Sequence, residues 1–260
     1  ISKKPAIVIG ILSACIFLYA AVSLGSYFTQ YRSRLRLQEE LSGFREQALT
    51  TEDPSGNAAA ESGSGADDIP EENLERAYDL LKEKNDDYVF WLSIPGTKID
   101  YPVVQLNNEY YLKHDFYGQS SSHGEIFLDK VCDPETGTLL LHGHHMKDGT
   151  MFAGLKAYKD KTFRQEHREV YVDFRNERKT FLFFAAAEVD LTDEDSFRYE
   201  VLPQDEEGFK IYLDELKRRA FWYTDPGDQA QRRVLILSTC DYGTEDERLV
   251  VFGMESTEKD

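Results

Sequence analysis

The chain has 260 residues, of which 48 are acidic and 30 basic, for a formal net charge of −18. That balance excludes a nucleic-acid binder, because affinity for a phosphate backbone rests on clustered Lys and Arg, and it gives a well-solvated surface. The cysteines, Cys15, Cys132 and Cys240, are too few to read as a disulfide framework.

From Pro5 to Tyr31 no charged residue occurs, and the apolar run Ile7–Val22 is long enough to cross a bilayer as a helix. Residues 1–31 therefore read as a transmembrane anchor, with a cleaved signal peptide ending among the small residues of 20–25 as the alternative. Lys3 and Lys4 precede the run while Arg32, Arg34 and Arg36 follow it, so charge does not set its orientation. The first residue is Ile rather than Met, which reads as a start inside a longer native chain. Residues 32–69 read as a juxtamembrane segment and flexible linker: charged and helix-tolerant to about Ala48, then rich in Gly, Ser and Ala, with too little apolar surface to fold. Residues 70–260 are of ordinary size for a single core.

Within that domain Leu74, Ala77, Tyr78 and Leu81 fall on one face of a helix. Strands follow at 88–94, 100–104, 125–129, 138–143, 168–174, 179–189, 233–239 and 248–254. About eight such strands fit a closed barrel, giving a mostly β fold with peripheral helices. Between the sixth and seventh, residues 206–221 place Phe209, Tyr212, Leu213 and Leu216 in a second helical stripe, which reads as packing.

The chemistry concentrates at strand ends. Val234–Leu237 is apolar, Cys240 closes that strand, the turn contains Gly243, and Arg248 opens the next strand, so 233–252 reads as a β-hairpin. A thiol is useful at neutral pH when cations favour the thiolate, and Arg stays charged in any site. The alternative is a buried structural Cys with Arg248 paired to Glu245 or Glu247. Upstream, Thr138–Leu141 ends in His142, Gly143, His144 and His145, and imidazole titrates where proton transfer is needed. Cys, His and Arg at strand ends can converge on one mouth of a barrel, as cysteine acyl transfer requires. A metal site built from the three histidines with Cys132 or Cys240 competes with this, but the spacing matches neither His-Glu-x-x-His nor a Cys-x-x-Cys pair. Asp241 and Glu245–Glu247 read as a solvated turn in preference to a calcium site.

These residues resemble the sortase family, and within it the class B sortases. Leu237-Ser-Thr-Cys240 resembles the family's Thr-Leu-x-Thr-Cys motif, and Arg248 its essential arginine. Gly143-His144-His145-Met146 resembles the Gly-His of the catalytic histidine, pointing to His144. Trp91–Val104, Tyr111–Asp115 and Gly124–Asp129 resemble the early strands of class B members, so the likeness covers roughly residues 70–255. Ser238 stands where the broader motif has a hydrophobic residue, and His142 where Tyr or Ala is expected.

The resemblance implies an eight-stranded sortase-type β-barrel and a cysteine transpeptidase with catalytic His144, Cys240 and Arg248, needing no metal or cofactor. Ser238, Thr239 and Tyr242 border that site, either shaping a substrate groove or closing the strand. The implied substrates are secreted proteins with a C-terminal sorting signal. The implied acceptor is a cell-wall peptide amine or a pilin lysine. The implied location is the cell membrane, single-pass, with the catalytic domain extracellular and facing the cell wall. A free thiol is expected at Cys240, since a bond to Cys132 would block it. A hydrolytic cysteine peptidase sharing these residues, and a tethered binding module that only keeps the fold, are the rival readings.

Overall fold

A computed structural model describes residues 4–50, 69–135, 137–193, 195–201, 203, 205–227, 232–240 and 246–257, with Cys240 as a backbone position. The chain divides into two compact units, 1–40 and 41–260. Helix α1 (Lys4–Thr50) carries the uncharged stretch, and Ile9, Ile11, Leu12, Ile16, Phe17 and Leu18 lie exposed around it. A helix apolar on every side needs apolar surroundings. Among the described residues it is the single helix long and apolar enough to cross a membrane.

Of the expected juxtamembrane segment and linker, residues 32–50 are helical, 41–50 fall in the second unit, and 51–68 lie outside the described residues. Leu41 and Ala48 are buried. Asn73 Nδ2 donates to the Leu49 carbonyl at 2.7 Å and Arg76 Nη1 to that of Ala48 at 3.0 Å, which satisfies carbonyls that a helix end leaves orphaned. Arg45 pairs with Asp173, a buried carboxylate that also takes Arg178 Nε at 2.6 Å and Nη2 at 3.0 Å.

Nine strands are described in the second unit: β1 (Tyr88–Ser93), β2 (Asp100–Val104), β3 (Ile126–Leu128), β4 (Leu139–Gly143), β5 (Glu169–Asp173), β6 (Arg178–Asp190), β7 (Trp222–Tyr223), β8 (Val234–Cys240) and β9 (Glu247–Glu255). Neighbours run β5-β1-β2-β3-β4-β8-β9-β6, and pairing of β5 with β6 closes these eight into a barrel. The eight strands legible in the sequence all occur, each end within one residue. The ninth, β7, is too short for any alternation to show; it pairs with Ala185 and Ala186, where β6 has run past β5.

Most pairings are antiparallel, but β2 with β3 and β4 with β8 are parallel. Parallel strands are covered on both faces and read as unbroken apolar runs, as Leu139–Leu141 and Val234–Leu237 do. A 3₁₀ helix, Phe152–Lys159, packs on β8 and β9 and buries Phe152, Leu155 and Tyr158. Their spacing of three residues is the 3₁₀ period, so a search for 3.6-residue periodicity passes over it. Helix α2 (Glu71–Lys84) packs on β1 through Leu74, Ala77 and Leu81. A short helix α3 (Lys161–Glu166) follows the 3₁₀ segment. Helix α4 (Glu206–Arg219) lays Tyr212, Leu213 and Leu216 against the core beside β6. Asp205 caps it, accepting from Gly208 N–H at 2.7 Å, and Lys217, Arg218 and Arg219 meet the negative end of its dipole.

Candidate active site

The two strands that carry the candidate histidine and cysteine end side by side. In the parallel β4–β8 register His142 lies beside Ser238 and Gly143 beside Thr239, so His144 and Cys240 are each the next residue along. In the antiparallel β8–β9 register Cys240 is the partner of Arg248. The backbone thus brings the positions of His144, Cys240 and Arg248 to one edge of the barrel. Tyr242 lies outside the described residues, as do Asp241, Gly243 and Glu245.

At that edge an open cleft of about 330 Å³ is lined by Asn108, Leu112, Phe127, Asp129, His142, Gly143, His144, Leu191, Tyr199, Glu200, Ser238, Thr239 and Arg248. His144 Nε2 lies 2.8 Å from the Leu112 carbonyl. A carbonyl only accepts, so Nε2 carries the hydrogen and Nδ1 is left as the basic nitrogen of the neutral ring. Leu112 sits in a 3₁₀ turn, Tyr110–Leu112, where Tyr111 O accepts from Glu125 N–H at 2.8 Å and the Tyr111 hydroxyl donates to Asp87 at 2.8 Å. The segment from Tyr111, likened above to an early strand, is this turn followed by an irregular stretch. Gly124, with φ +59°, lets the chain press on it: a Cβ there would lie 2.4 Å from the Tyr111 carbonyl.

The loop after His144 is equally tied. Phe152 N–H donates to the His144 carbonyl at 3.0 Å, Asp148 accepts from Thr150 N–H at 3.0 Å, and His123 Nε2 meets Asp148 at 2.8 Å. Burial pushes the Asp148 carboxyl up, but its bonds from Thr150 and His123 outweigh that and hold it below the usual range. Met151 closes the loop at φ 56°, a left-handed conformation unusual for a side-chain-bearing residue, with its N–H donated to Tyr101 Oη at 3.0 Å.

His142 turns elsewhere. Its Nε2 lies 3.0 Å from Asp129 Oδ2, which also accepts from Asn108 Nδ2 at 2.8 Å, and Val131 N–H reaches Oδ1 at 3.1 Å. Burial raises the Asp129 pKa, yet these bonds prevail and the carboxyl stays ionised below its ordinary range. Ser238 is buried with its hydroxyl 2.9 Å from Tyr199 Oη, and Tyr212 Oη in turn donates to the Tyr199 carbonyl at 2.9 Å. Thr239 is buried too. Arg248 is partly exposed, with Nη1 3.3 Å from the Glu247 carbonyl. Cys132 is a buried free thiol, its pKa raised by that burial. Among the described residues no three His, Cys, Asp or Glu side chains are grouped to hold a metal.

A family model described as the sortase domain matches residues 92–256, which spans every strand at this edge. The chain belongs to the sortase family. Sortase B of Listeria monocytogenes is 33% identical over 167 residues, covering 62% of this chain and 65% of that protein. Sortase B of Staphylococcus aureus is 30% identical over 189 residues, covering 70% of this chain and 75% of that one. The chain thus spans just under two thirds of the Listeria protein's length. A Staphylococcus aureus sortase B–substrate complex superposes with a TM-score of 0.69 at 23% identity, over 88% of this chain and 98% of that one, a likeness of fold. Together these place this sortase in class B.

Asn108, Asp129, Tyr199 and Glu200 line the sortase cleft but were not legible as site residues in the sequence. Asn108 and Asp129 follow strands β2 and β3, which are set side by side by long-range pairing, parallel between β2 and β3 and antiparallel between β3 and β4. Tyr199 and Glu200 come from the long β6–α4 connection, which carries no pattern of its own.

Proposed function

We propose that this sortase is a membrane-anchored cysteine transpeptidase. It cleaves a C-terminal sorting signal through a thioester on Cys240 and passes the secreted protein to an amine of the cell wall. The observation that carries this reading is the adjacency of the His144, Cys240 and Arg248 positions at one cleft. The Staphylococcus aureus structure that shares this fold is a substrate complex, which agrees with a substrate, on this reading a sorting signal, as occupant of the cleft. Helix α1 supports anchorage; a catalytic unit outside the cell follows from the sortase reading, since its substrates are secreted proteins.

The Cys240 thiolate adds to the scissile carbonyl carbon, and collapse of the adduct breaks the C–N bond as His144 gives its proton to the departing amine. With Nε2–H held by Leu112, Nδ1 is the nitrogen that exchanges this proton. Arg248 presents a fixed fork of donors to the substrate backbone and to the oxyanion, where charge develops. An amine then attacks the thioester and the sulfur leaves as thiolate. Intact-mass measurement of the protein with sorting-signal peptides and an amine tests this. An acyl adduct, absent in Cys240→Ala and discharged by amine, is expected; discharge by water alone would make the chain a hydrolase, and no adduct with any peptide would refute the reading.

A further inference from the structure

An amine that meets the thioester at neutral pH arrives as an ammonium and must lose two protons to become an amide nitrogen. His144 has one ring nitrogen committed to the Leu112 carbonyl, so it accepts one proton at a time. The cleft holds a second imidazole. His142 bonds Asp129 through Nε2, and because a carboxylate of depressed pKa only accepts, Nε2 carries the hydrogen and Nδ1 is basic. Asn108 Nδ2 at 2.8 Å and Val131 N–H at 3.1 Å fix the carboxylate, and the Phe127 ring, its centroid 5.2 Å away, flanks the imidazole.

This is the arrangement that fixes an imidazole's tautomer and ring orientation, leaving Nδ1 free to take a proton. The His123–Asp148 pair offers the contrast within the same molecule. There the histidine side chain is 1% exposed and its partner 6%, a structural tie sealed from solvent; His142 is 23% exposed and lines the cleft. The titratable and charged groups that share the cleft with it are Asp129, His144, Tyr199, Glu200 and Arg248, among the described residues.

We propose that His142, held by Asp129, is a second base of the cleft that takes the first proton from the incoming ammonium before it attacks the thioester on Cys240. This rests on the transpeptidase reading. The ammonium N–H bond breaks to His142 Nδ1, giving a neutral amine and an imidazolium paired with Asp129. The amine lone pair forms the C–N bond, its second proton passes to His144, and the C–S bond breaks to return the Cys240 thiolate. His142 then releases its proton to water.

The test is His142→Gln, whose amide can still donate to Asp129 but cannot titrate, read as the ratio of amine transfer to hydrolysis of one acyl-enzyme. With triglycine at pH 7 the ratio is expected to fall by at least about tenfold. With the side-chain amine of N-acetyl-lysine amide the fall is larger, because that amine holds its proton more tightly. Raising the pH towards the amine's own pKa restores the ratio, and hydroxylamine, which arrives neutral, shows no deficit. A ratio unchanged by the substitution overturns the inference. So does a deficit that persists with hydroxylamine or does not change with pH, which would mark a structural role. If the wild-type protein forms no acyl-enzyme, the transpeptidase reading falls and takes this inference with it.

Discussion

Gly143 lies between His142 and His144, and replacing it by Ala tests whether packing under β4 sets the position of the candidate base. A Cβ built there would lie 2.4 Å from Ile126 Cδ1 and 2.7 and 2.9 Å from two ring carbons of Phe152. Comfortable carbon contacts need about 3.5–4.0 Å. Ile126 and Phe152 are both fully buried, so neither can swing into solvent. Either the core yields by about 1 Å or β4 lifts off it. Overpacking of this kind costs about 1–3 kcal/mol. At about 2 kcal/mol, a unit of this size should melt roughly 4–8 °C lower. Phe152 N–H also donates to the His144 carbonyl, so the displacement is passed directly to the loop that carries the imidazole. A 1 Å misplacement can cost on the order of a hundredfold in rate. Thermal unfolding and peptide-to-amine transfer, measured together on Gly143→Ala, should show both losses. Adding Ile126→Val, which removes the nearest carbon, should recover at least about 0.5 kcal/mol beyond additivity. Wild-type melting and transfer in Gly143→Ala would refute the reasoning.

Arg248→Lys keeps the charge but loses the planar fork, so transfer should fall on the order of a hundredfold, measured as kcat/KM on a sorting-signal peptide; near-normal turnover would leave Arg248 a structural part. His144→Ala should abolish acyl-enzyme formation by intact mass while His145→Ala keeps most of it, and the reverse would assign the wrong imidazole. Asp173→Asn leaves Arg45 and Arg178 without their buried counter-charge and should cost about 3–5 kcal/mol in denaturant unfolding. Burial raises the Asp173 pKa, but Arg178 and Arg45 outweigh it and the net direction is down. A folded pKa below the unfolded one stabilises fully above about pH 4, and that stability fades as pH falls through the folded value. Wild-type stability should therefore drop in acid more steeply than that of Asp173→Asn, and parallel pH curves would contradict the assignment.

The barrel was legible because its strands alternate or run apolar between clear breaks, and pattern survives without knowledge of partners. The 3₁₀ helix Phe152–Lys159 and β7 were not, one because its period is three and the other because two residues carry no period. Cys240 and Arg248 could be paired from sequence, since a hairpin is local. The Leu112 carbonyl that fixes the His144 tautomer could not, because a backbone acceptor 32 residues away has no side-chain signature. Asp129 escaped for a related reason: at the end of a three-residue strand it looks like a turn residue until β3 is set against β4, which puts Phe127 beside His142. Ser238 was read as bordering a groove, and it does line the cleft, but its hydroxyl is engaged by Tyr199 from a connection no periodicity describes.

What gathers the site is the one strand direction that sequence reading leaves open. Two antiparallel neighbours cannot both end at the same edge; two parallel ones must. Because β4 and β8 are parallel, the residues that leave them, His144 and Cys240, reach the same rim, and because β9 runs back from that rim, its start supplies Arg248. A residue at a strand end keeps the precision of the sheet on one side and faces open space on the other. The carboxylate of Asp129 at the end of β3 and the Leu112 carbonyl then meet the imidazoles from the neighbouring side. Side-chain identity decides what chemistry the rim can do, but the parallel pairing decides that these side chains share a rim at all.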